Sequence, residues 1–143
     1  QVADLLTSVV DNGTGEKASV NGYKIAAKTG TSWKYFGPED SYEMPNGQRD
    51  PYLDKNGQRH YTSTVTGFFP AQKPELSMVV IIDDPAPIEE QFYASHVAAP
   101  LFGEIAAWSL RHYQISPFKE VQLSDNNQQA LNRQSIQEGE KSE

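Results

Sequence analysis

Tyr61-Thr62-Ser63-Thr64-Val65-Thr66-Gly67-Phe68-Phe69 and Leu76-Ser77-Met78-Val79-Val80-Ile81-Ile82, joined by Pro70-Ala71-Gln72-Lys73-Pro74-Glu75, decide the fold of this chain. The first run is rich in Thr, Val, Tyr and Phe, which fit a pleated surface, and the second is nearly continuous in apolar residues. The connection is of hairpin length. Both runs therefore read as strands paired with each other, and the second, apolar on both faces, calls for cover on both sides of its sheet.

Working upstream, Tyr23-Lys24-Ile25-Ala26-Ala27-Lys28 alternates as a further strand after a turn at Asn21-Gly22. Before it, Val2, Leu5, Leu6 and Val9 fall at i, i+3, i+4 and i+7, one face of a helix. Asp11-Asn12-Gly13 ends that helix, with Gly13 suited to a left-handed cap. Residues 33–60, rich in turn formers and aromatics, read as a long loop insert, a kind of segment that is uncommon unless functional. Downstream, Ala98 to Tyr113 reads as a helix with Pro100 in its first turn, Leu101, Phe102, Ile105 and Trp108 on one broad face, and Glu104 and Arg111 on a narrow polar edge. The order is helix, strand, long loop, strand, strand, helix. Three consecutive strands without helical crossovers make an antiparallel β-meander with flanking helices, an α+β fold. Two helices barely cover both faces of such a sheet, so part of the fold is expected to lie outside this chain.

Composition bounds what such a domain can do. The chain has 143 residues and a formal charge of −7, with no Lys/Arg cluster, which argues against a nucleic-acid partner because phosphate binding needs a basic stripe. No run approaches the roughly 20 apolar residues of a membrane-spanning helix, and Gln1 to Asp11 lacks the features of a secretory signal. There is no Cys, and His60, His96 and His112 are not spaced as metal ligands. From Lys119 onward no aromatic occurs while Gln and Asn recur among acidic residues, so 118–143 reads as a disordered or weakly helical tail and 1–117 as the folded part.

Lys28-Thr29-Gly30-Thr31 stands at the end of the first predicted strand. A given four-residue match in a chain of this length arises by chance about once in several hundred sequences. Lys-Thr-Gly is one of three motifs shared by penicillin-binding proteins and class A β-lactamases. The stretch from Gly22 to Thr31, then Tyr61 to Ala71, Leu76 to Pro85, and Val97-Ala98-Ala99-Pro100-Leu101-Phe102 resemble the C-terminal third of the transpeptidase domain of division-type class B penicillin-binding proteins. The resemblance is expected to span 1–117 apart from the insert. One departure is Ala27, where many relatives carry Gly, and a single methyl on a strand is expected to do little harm.

The resemblance implies a C-terminal fragment of a penicillin-binding-protein or serine β-lactamase-like transpeptidase fold. It implies as substrate a peptidoglycan stem peptide ending in D-Ala-D-Ala, with β-lactams as inhibitors, and it assigns Lys28 and Thr31 as catalytic and Lys28, Thr29, Gly30 and Thr31 as substrate-binding residues. These residue types suit the task. Lys28 supplies positive charge for the substrate carboxylate, the hydroxyls of Thr29 and Thr31 can donate to it, and Gly30 permits close backbone approach. A strand at a sheet edge can take an extended peptide as a further strand, and by resemblance the Thr31 N–H is one of two oxyanion donors, each typically worth about 3 kcal/mol in the transition state. The plainer alternative is a Lys at a strand end followed by a Thr-Gly turn.

The family's Ser-x-x-Lys, which holds the nucleophile, and its Ser-x-Asn precede this strand, and no Ser-x-x-Lys occurs before Lys28. Ser116-Pro117-Phe118-Lys119 and Ser124-Asp125-Asn126 match in form but lie downstream, and a random chain this long has roughly even odds of a Ser-x-x-Lys. The nucleophile is therefore expected on a preceding segment, which makes the N-terminal remainder of the same protein a partner, alongside division or elongation proteins. By resemblance the parent protein works on the extracytoplasmic face of the bacterial membrane, through an anchor not in this chain, and serine acylation calls for no cofactor.

In the insert, Trp33, Tyr35, Phe36, Tyr42 and Tyr52 read as aromatics that tack the loop to the domain, with a wall beside the substrate as the alternative. Asn46-Gly47-Gln48-Arg49 recurs as Asn56-Gly57-Gln58-Arg59, which two Asn-Gly turns explain. His60 and His96 read as satisfied histidines. Two further functional readings stay open: a β-lactam sensor or inactive penicillin-binding scaffold, and an unrelated small α+β binding module.

Overall fold

A computed structural model describes residues 1–86 and 91–117. The 118–143 segment, with Phe118-Lys119 and Ser124-Asp125-Asn126, lies outside the described residues. Helix α1 (Val2–Asn12) leads through a 3₁₀ turn at Glu16–Ala18 to strand β1 (Ala26–Trp33). Short strands β2 (Ser41–Glu43) and β3 (Arg49–Asp54) follow, then β4 (Tyr61–Phe69), β5 (Leu76–Asp83) and helix α2 (Ala94–His112). The sheet has the order β1-β4-β5, antiparallel throughout, with Lys28 opposite Thr66 and Thr31 opposite Ser63. This is the expected meander in an α+β fold.

Both helices share one core on one face of the sheet. Val10 of α1, Ile25, Ala27, Val65, Phe69 and Val80 pack there with Ala98, Phe102, Ala106 and Leu110 of α2. Phe69 and Phe102, both fully buried, meet edge to face with centroids 5.9 Å apart, which favours them beyond the area they bury. On β5 the residues alternate: Val80 is buried and Met78 and Ile82 half-buried, while Val79 and Ile81 stand about 60% exposed. Only one face of this apolar strand is covered among the described residues.

Several expectations are corrected by packing. The α1 stripe does not face the core as a unit, since Val10 is buried whereas Val2 and Leu5 are exposed. On α2 the core takes Phe102 and the small residues Ala98, Ala99, Gly103 and Ala106, leaving Leu101, Ile105 and Trp108 outward. Gly103 lets the 3₁₀ turn approach this closely, because a Cβ would lie 3.0 Å from the Lys17 carbonyl oxygen and push the turn outward. Helix α2 also begins four residues earlier than the sequence indicates, so Pro100 sits in its second turn; the backbone N–H groups of His96 and Val97 already donate to the Tyr93 carbonyl.

Gly13 is extended (φ −135°), not left-handed; it is close approach that demands a glycine, since a Cβ would stand 2.9 Å from the Val9 carbonyl oxygen. The first strand runs from Ala26 to Trp33, not from Tyr23 to Lys28, because its pairing with β4 continues to Tyr61. The four-residue motif is thus inside the strand. Residues 33–60 are not a bare loop: β2 and β3 form an antiparallel hairpin, closed at Asn46-Gly47 (φ +81° at Gly47), and Asn56-Gly57 makes a like turn into β4 (φ +75° at Gly57). Short polar strands of this kind carry too little apolar alternation to stand out in a sequence.

Candidate functional site

Strand β1 is at the edge of its sheet. The Lys34 N–H donates to the His60 carbonyl and so continues the β4 ladder, which puts the backbone groups of even-numbered β1 residues toward β4. Thr29 and Thr31 therefore present their N–H and C=O groups away from β4, at the sheet edge. Side chains alternate as well: Thr29 and Thr31 share the face of buried Ala27, and Lys28 and Gly30 share the other.

Each motif residue is held by a neighbour. The Lys28 ammonium is exposed and donates to the Thr29 carbonyl at 2.7 Å, capping an edge acceptor. The Thr29 hydroxyl lies 2.7 Å from the hydroxyl of Thr14, in the turn after α1. Thr31 Oγ1 accepts the Ala94 N–H, at the start of α2, at 3.0 Å. The Gly30 carbonyl accepts from Thr64 Oγ1 at 3.1 Å, and a Cβ at Gly30 would stand only 2.8 Å from that oxygen, so a side chain there would turn the Thr64 hydroxyl out of this hydrogen bond. The segment before α2 is tied down by Ser63 Oγ, fully buried, which donates to the Phe92 carbonyl at 2.5 Å, while the Phe92 ring stacks on Tyr61.

Thr14, Thr64 and Ala94 were not legible as site residues in the sequence. Only Thr14 carries a signal, being flanked by Gly13 and Gly15, whose backbones pass close to Val9. Ser116 does not join this strand; it borders the β4–β5 connection beside Pro70, Gln72, Lys73 and Glu75.

The insert is tacked to the sheet beyond Thr31. Trp33 and Tyr35 each meet Tyr52 edge to face at about 6 Å, and the Arg59 guanidinium lies 3.7 Å over the Trp33 ring, so these aromatics do pack against one another. His60 Nδ1 is 2.7 Å from Asp84 and Nε2 3.4 Å from Asp54. The hydrogen bond with Asp84 raises the imidazole above its ordinary value, and Asp54 adds to this against a partial desolvation. Asp54 is lowered, chiefly by the Gln58 N–H. Lys34 pairs with Asp83 at 2.7 Å and approaches Asp84 at 3.7 Å. His60 is thus a satisfied histidine that also joins the insert to the end of β5. Among the described residues no three His, Cys, Asp or Glu side chains group as metal ligands.

An edge strand carrying Lys-Thr-Gly-Thr, braced by a helix on the same face, has the Lys-Thr-Gly motif shared by penicillin-binding proteins and class A β-lactamases. The profile of the penicillin binding protein transpeptidase domain matches residues 1–107, and the chain belongs to that family. It is 33% identical over 133 residues to the peptidoglycan D,D-transpeptidase FtsI of Escherichia coli K12, covering 92% of this chain and 19% of that protein. It is 35% identical over 119 residues to the stage V sporulation protein D of Bacillus subtilis, covering 83% and 16% respectively. Among solved structures, the transpeptidase domain of Burkholderia pseudomallei penicillin-binding protein 3 superposes with a TM-score of 0.59 at 25% identity, over 82% of this chain and 30% of that one. The chain spans about a fifth of the length of these curated relatives.

Proposed function

We propose that this chain supplies the substrate-binding and oxyanion strand of a peptidoglycan D,D-transpeptidase whose nucleophilic Ser lies on a preceding segment. The carrying observation is that Lys28, Thr29 and Thr31 line one edge strand, with both Thr hydroxyls accepting or sharing hydrogen bonds from behind and the Thr29 and Thr31 backbone groups turned outward. A stem peptide ending in D-Ala-D-Ala adds along this edge by backbone hydrogen bonds. Its carboxylate takes the Lys28 ammonium from the Thr29 carbonyl and accepts from the two hydroxyls. The Thr31 N–H then donates to the oxygen of the penultimate carbonyl as it gains charge.

In the covalent step the Ser Oγ bonds to the D-Ala carbonyl carbon, the C–N bond to the terminal D-Ala breaks, and the Ser proton passes through a base to the leaving amine. An acceptor amine next attacks the ester, forming the cross-linking amide and returning a proton to the Ser oxygen. β-Lactams enter by the same carboxylate contacts. No metal or organic cofactor is needed for these steps. Open apolar residues on β5 and both helices (Val79, Ile81, Leu5, Leu101, Ile105, Trp108) support burial against the N-terminal remainder of the same protein. No helix among the described residues is long and apolar enough to cross a membrane. We place the working protein on the outer face of the cytoplasmic membrane, held by an anchor outside this chain and serving division or elongation assemblies.

The test is to incubate a fluorescent penicillin with this chain alone and joined to the polypeptide that precedes it, and to locate the adduct by mass. An adduct on a preceding Ser, weakened by Lys28→Ala, is expected; an adduct on Ser116 of this chain, or none in either case, overturns the proposal. The rate of adduct release separates an enzyme or inhibited enzyme from a sensor.

A further inference from the structure

Thr14 comes from a different part of the chain than the strand it touches. Its position is set by backbone: the Gly15 N–H donates to the Val9 carbonyl at 2.9 Å, Glu16 N–H to Gly13 at 3.2 Å, and Ala18 N–H to Gly15 at 2.8 Å. The two flanking glycines let this turn press on the last turn of α1, where added Cβ atoms would lie 2.9 and 3.1 Å from the Val9 oxygen. None of these contacts uses the Thr14 side chain. Among the described residues its hydroxyl makes one hydrogen bond, with Thr29 Oγ1 at 2.7 Å.

A hydroxyl has one proton to give and can accept as well. In the 2.7 Å pair either oxygen can be the donor, but a Thr29 that gives its proton to an anion must accept from Thr14. Thr31 is arranged in the same sense, since it accepts the Ala94 N–H and keeps its own proton free. When Thr29 gives its proton to an anion, both strand hydroxyls are backed by a donor, from the turn after α1 for Thr29 and from the start of α2 for Thr31. A hydroxyl that already accepts a hydrogen bond is polarised and becomes the better donor, and it is also held in one rotamer.

We propose that Thr14 is a positioning residue for ligand binding: by donating to Thr29 Oγ1 it aims the Thr29 proton at the ligand carboxylate. This rests on the reading of Lys28-Thr29-Gly30-Thr31 as a carboxylate-binding strand. A rotor that must be fixed on binding costs affinity, so losing Thr14 is expected to weaken the reversible first step of penicillin binding by about 3- to 10-fold. The acylation rate of the saturated complex is expected to stay within about twofold, because the Thr31 N–H is untouched.

The experiment measures reversible binding and acylation separately, by stopped-flow labelling with a fluorescent penicillin. It uses the protein in which this chain is joined to the nucleophile-bearing segment. Thr14→Val is expected to weaken binding, Thr14→Ser to restore it, and Thr14→Val to add nothing in a Thr29→Val background. Thr14→Ser keeps the test open should the valine variant fail to fold. Overturning results are a Thr14→Val protein that binds as tightly as the unsubstituted one, a serine variant as weak as valine, or additive losses in the double variant. If the unsubstituted protein takes no label, the carboxylate-strand reading fails and this inference with it; if it labels normally and only the Thr14 effects are absent, this inference alone fails.

Discussion

The Ala94 N–H donates to Thr31 Oγ1 at 3.0 Å, which ties the first residue of α2 to the fourth residue of the motif across 63 positions of sequence. Helix α2 thereby braces the strand at the residue whose backbone N–H is aimed outward. Removing that acceptor leaves the Ala94 N–H, a part-buried donor, without its partner, a loss of about 1–3 kcal/mol. Thr31→Val is accordingly expected to lower the unfolding free energy by this amount and to weaken penicillin binding about tenfold. Thr31→Ser, which keeps the oxygen, is expected to restore most of both in denaturant melts and labelling assays.

Lys28 contrasts with Thr31, because its only described partner is the Thr29 carbonyl and its side chain is exposed. Lys28→Ala is expected to change stability by no more than about 0.5 kcal/mol. Acylation by penicillin is expected to fall at least about tenfold, since a charge-assisted contact with the ligand carboxylate is lost. Unchanged acylation with unchanged stability would remove Lys28 from the site.

Ala27 and Gly67 face each other in register, and both are closely packed. A Cβ at Gly67 would lie 2.7 Å from the Ala27 Cβ and 2.5 Å from the Ala26 carbonyl oxygen. The methyl of Ala27 is thus tolerated because its partner has no side chain. Gly67→Ala is expected to destabilise by about 1–3 kcal/mol through overpacking. Adding Ala27→Gly should recover only part, because the contact with the Ala26 oxygen remains; full recovery in melts would contradict this geometry.

Both ring nitrogens of His60 face carboxylates, and only the imidazolium can donate to both. Its pKa is raised above the ordinary 6.5, first by Asp84. A raised folded-state pKa means this contribution is fully present below 6.5 and is lost as pH rises through the raised value. Asp54 acts in the opposite sense: its lowered pKa stabilises above 3.8, and the effect is lost as pH falls through the lowered value. The insert is therefore expected to be held most firmly between the carboxylate range and the His60 midpoint. Amide protection in β2 and β3, taken relative to the intrinsic exchange rate at each pH, should fall above that midpoint, and His60→Gln should remove this pH dependence of protection.

What a linear reading could determine was whatever depends on near neighbours in sequence. The strands 61–69 and 76–82, the helical character of 2–12, the Asn-Gly turns at Gly47 and Gly57, and the Lys28-Thr29-Gly30-Thr31 motif all rest on local periodicity, propensity or residue identity. Faces were less legible. Val2, Leu5, Leu101, Ile105 and Trp108 are apolar yet outward, because which side of a helix is buried depends on what packs against it, and small residues such as Ala98, Gly103 and Ala106 permit the closest approach. The β2–β3 hairpin was hidden for a related reason, as its short strands are held by the Trp33, Tyr52, His60 and Asp84 contacts more than by their own pattern.

The tertiary structure alone decided which residues stand behind the motif. Thr14 is 15 positions from Thr29, Ala94 is 63 from Thr31, and Thr64 is 34 from Gly30, so no spacing rule connects them. Hydroxyl and amide hydrogen bonds reach only about 3 Å, and such partners are chosen by how helices and strands come together in space.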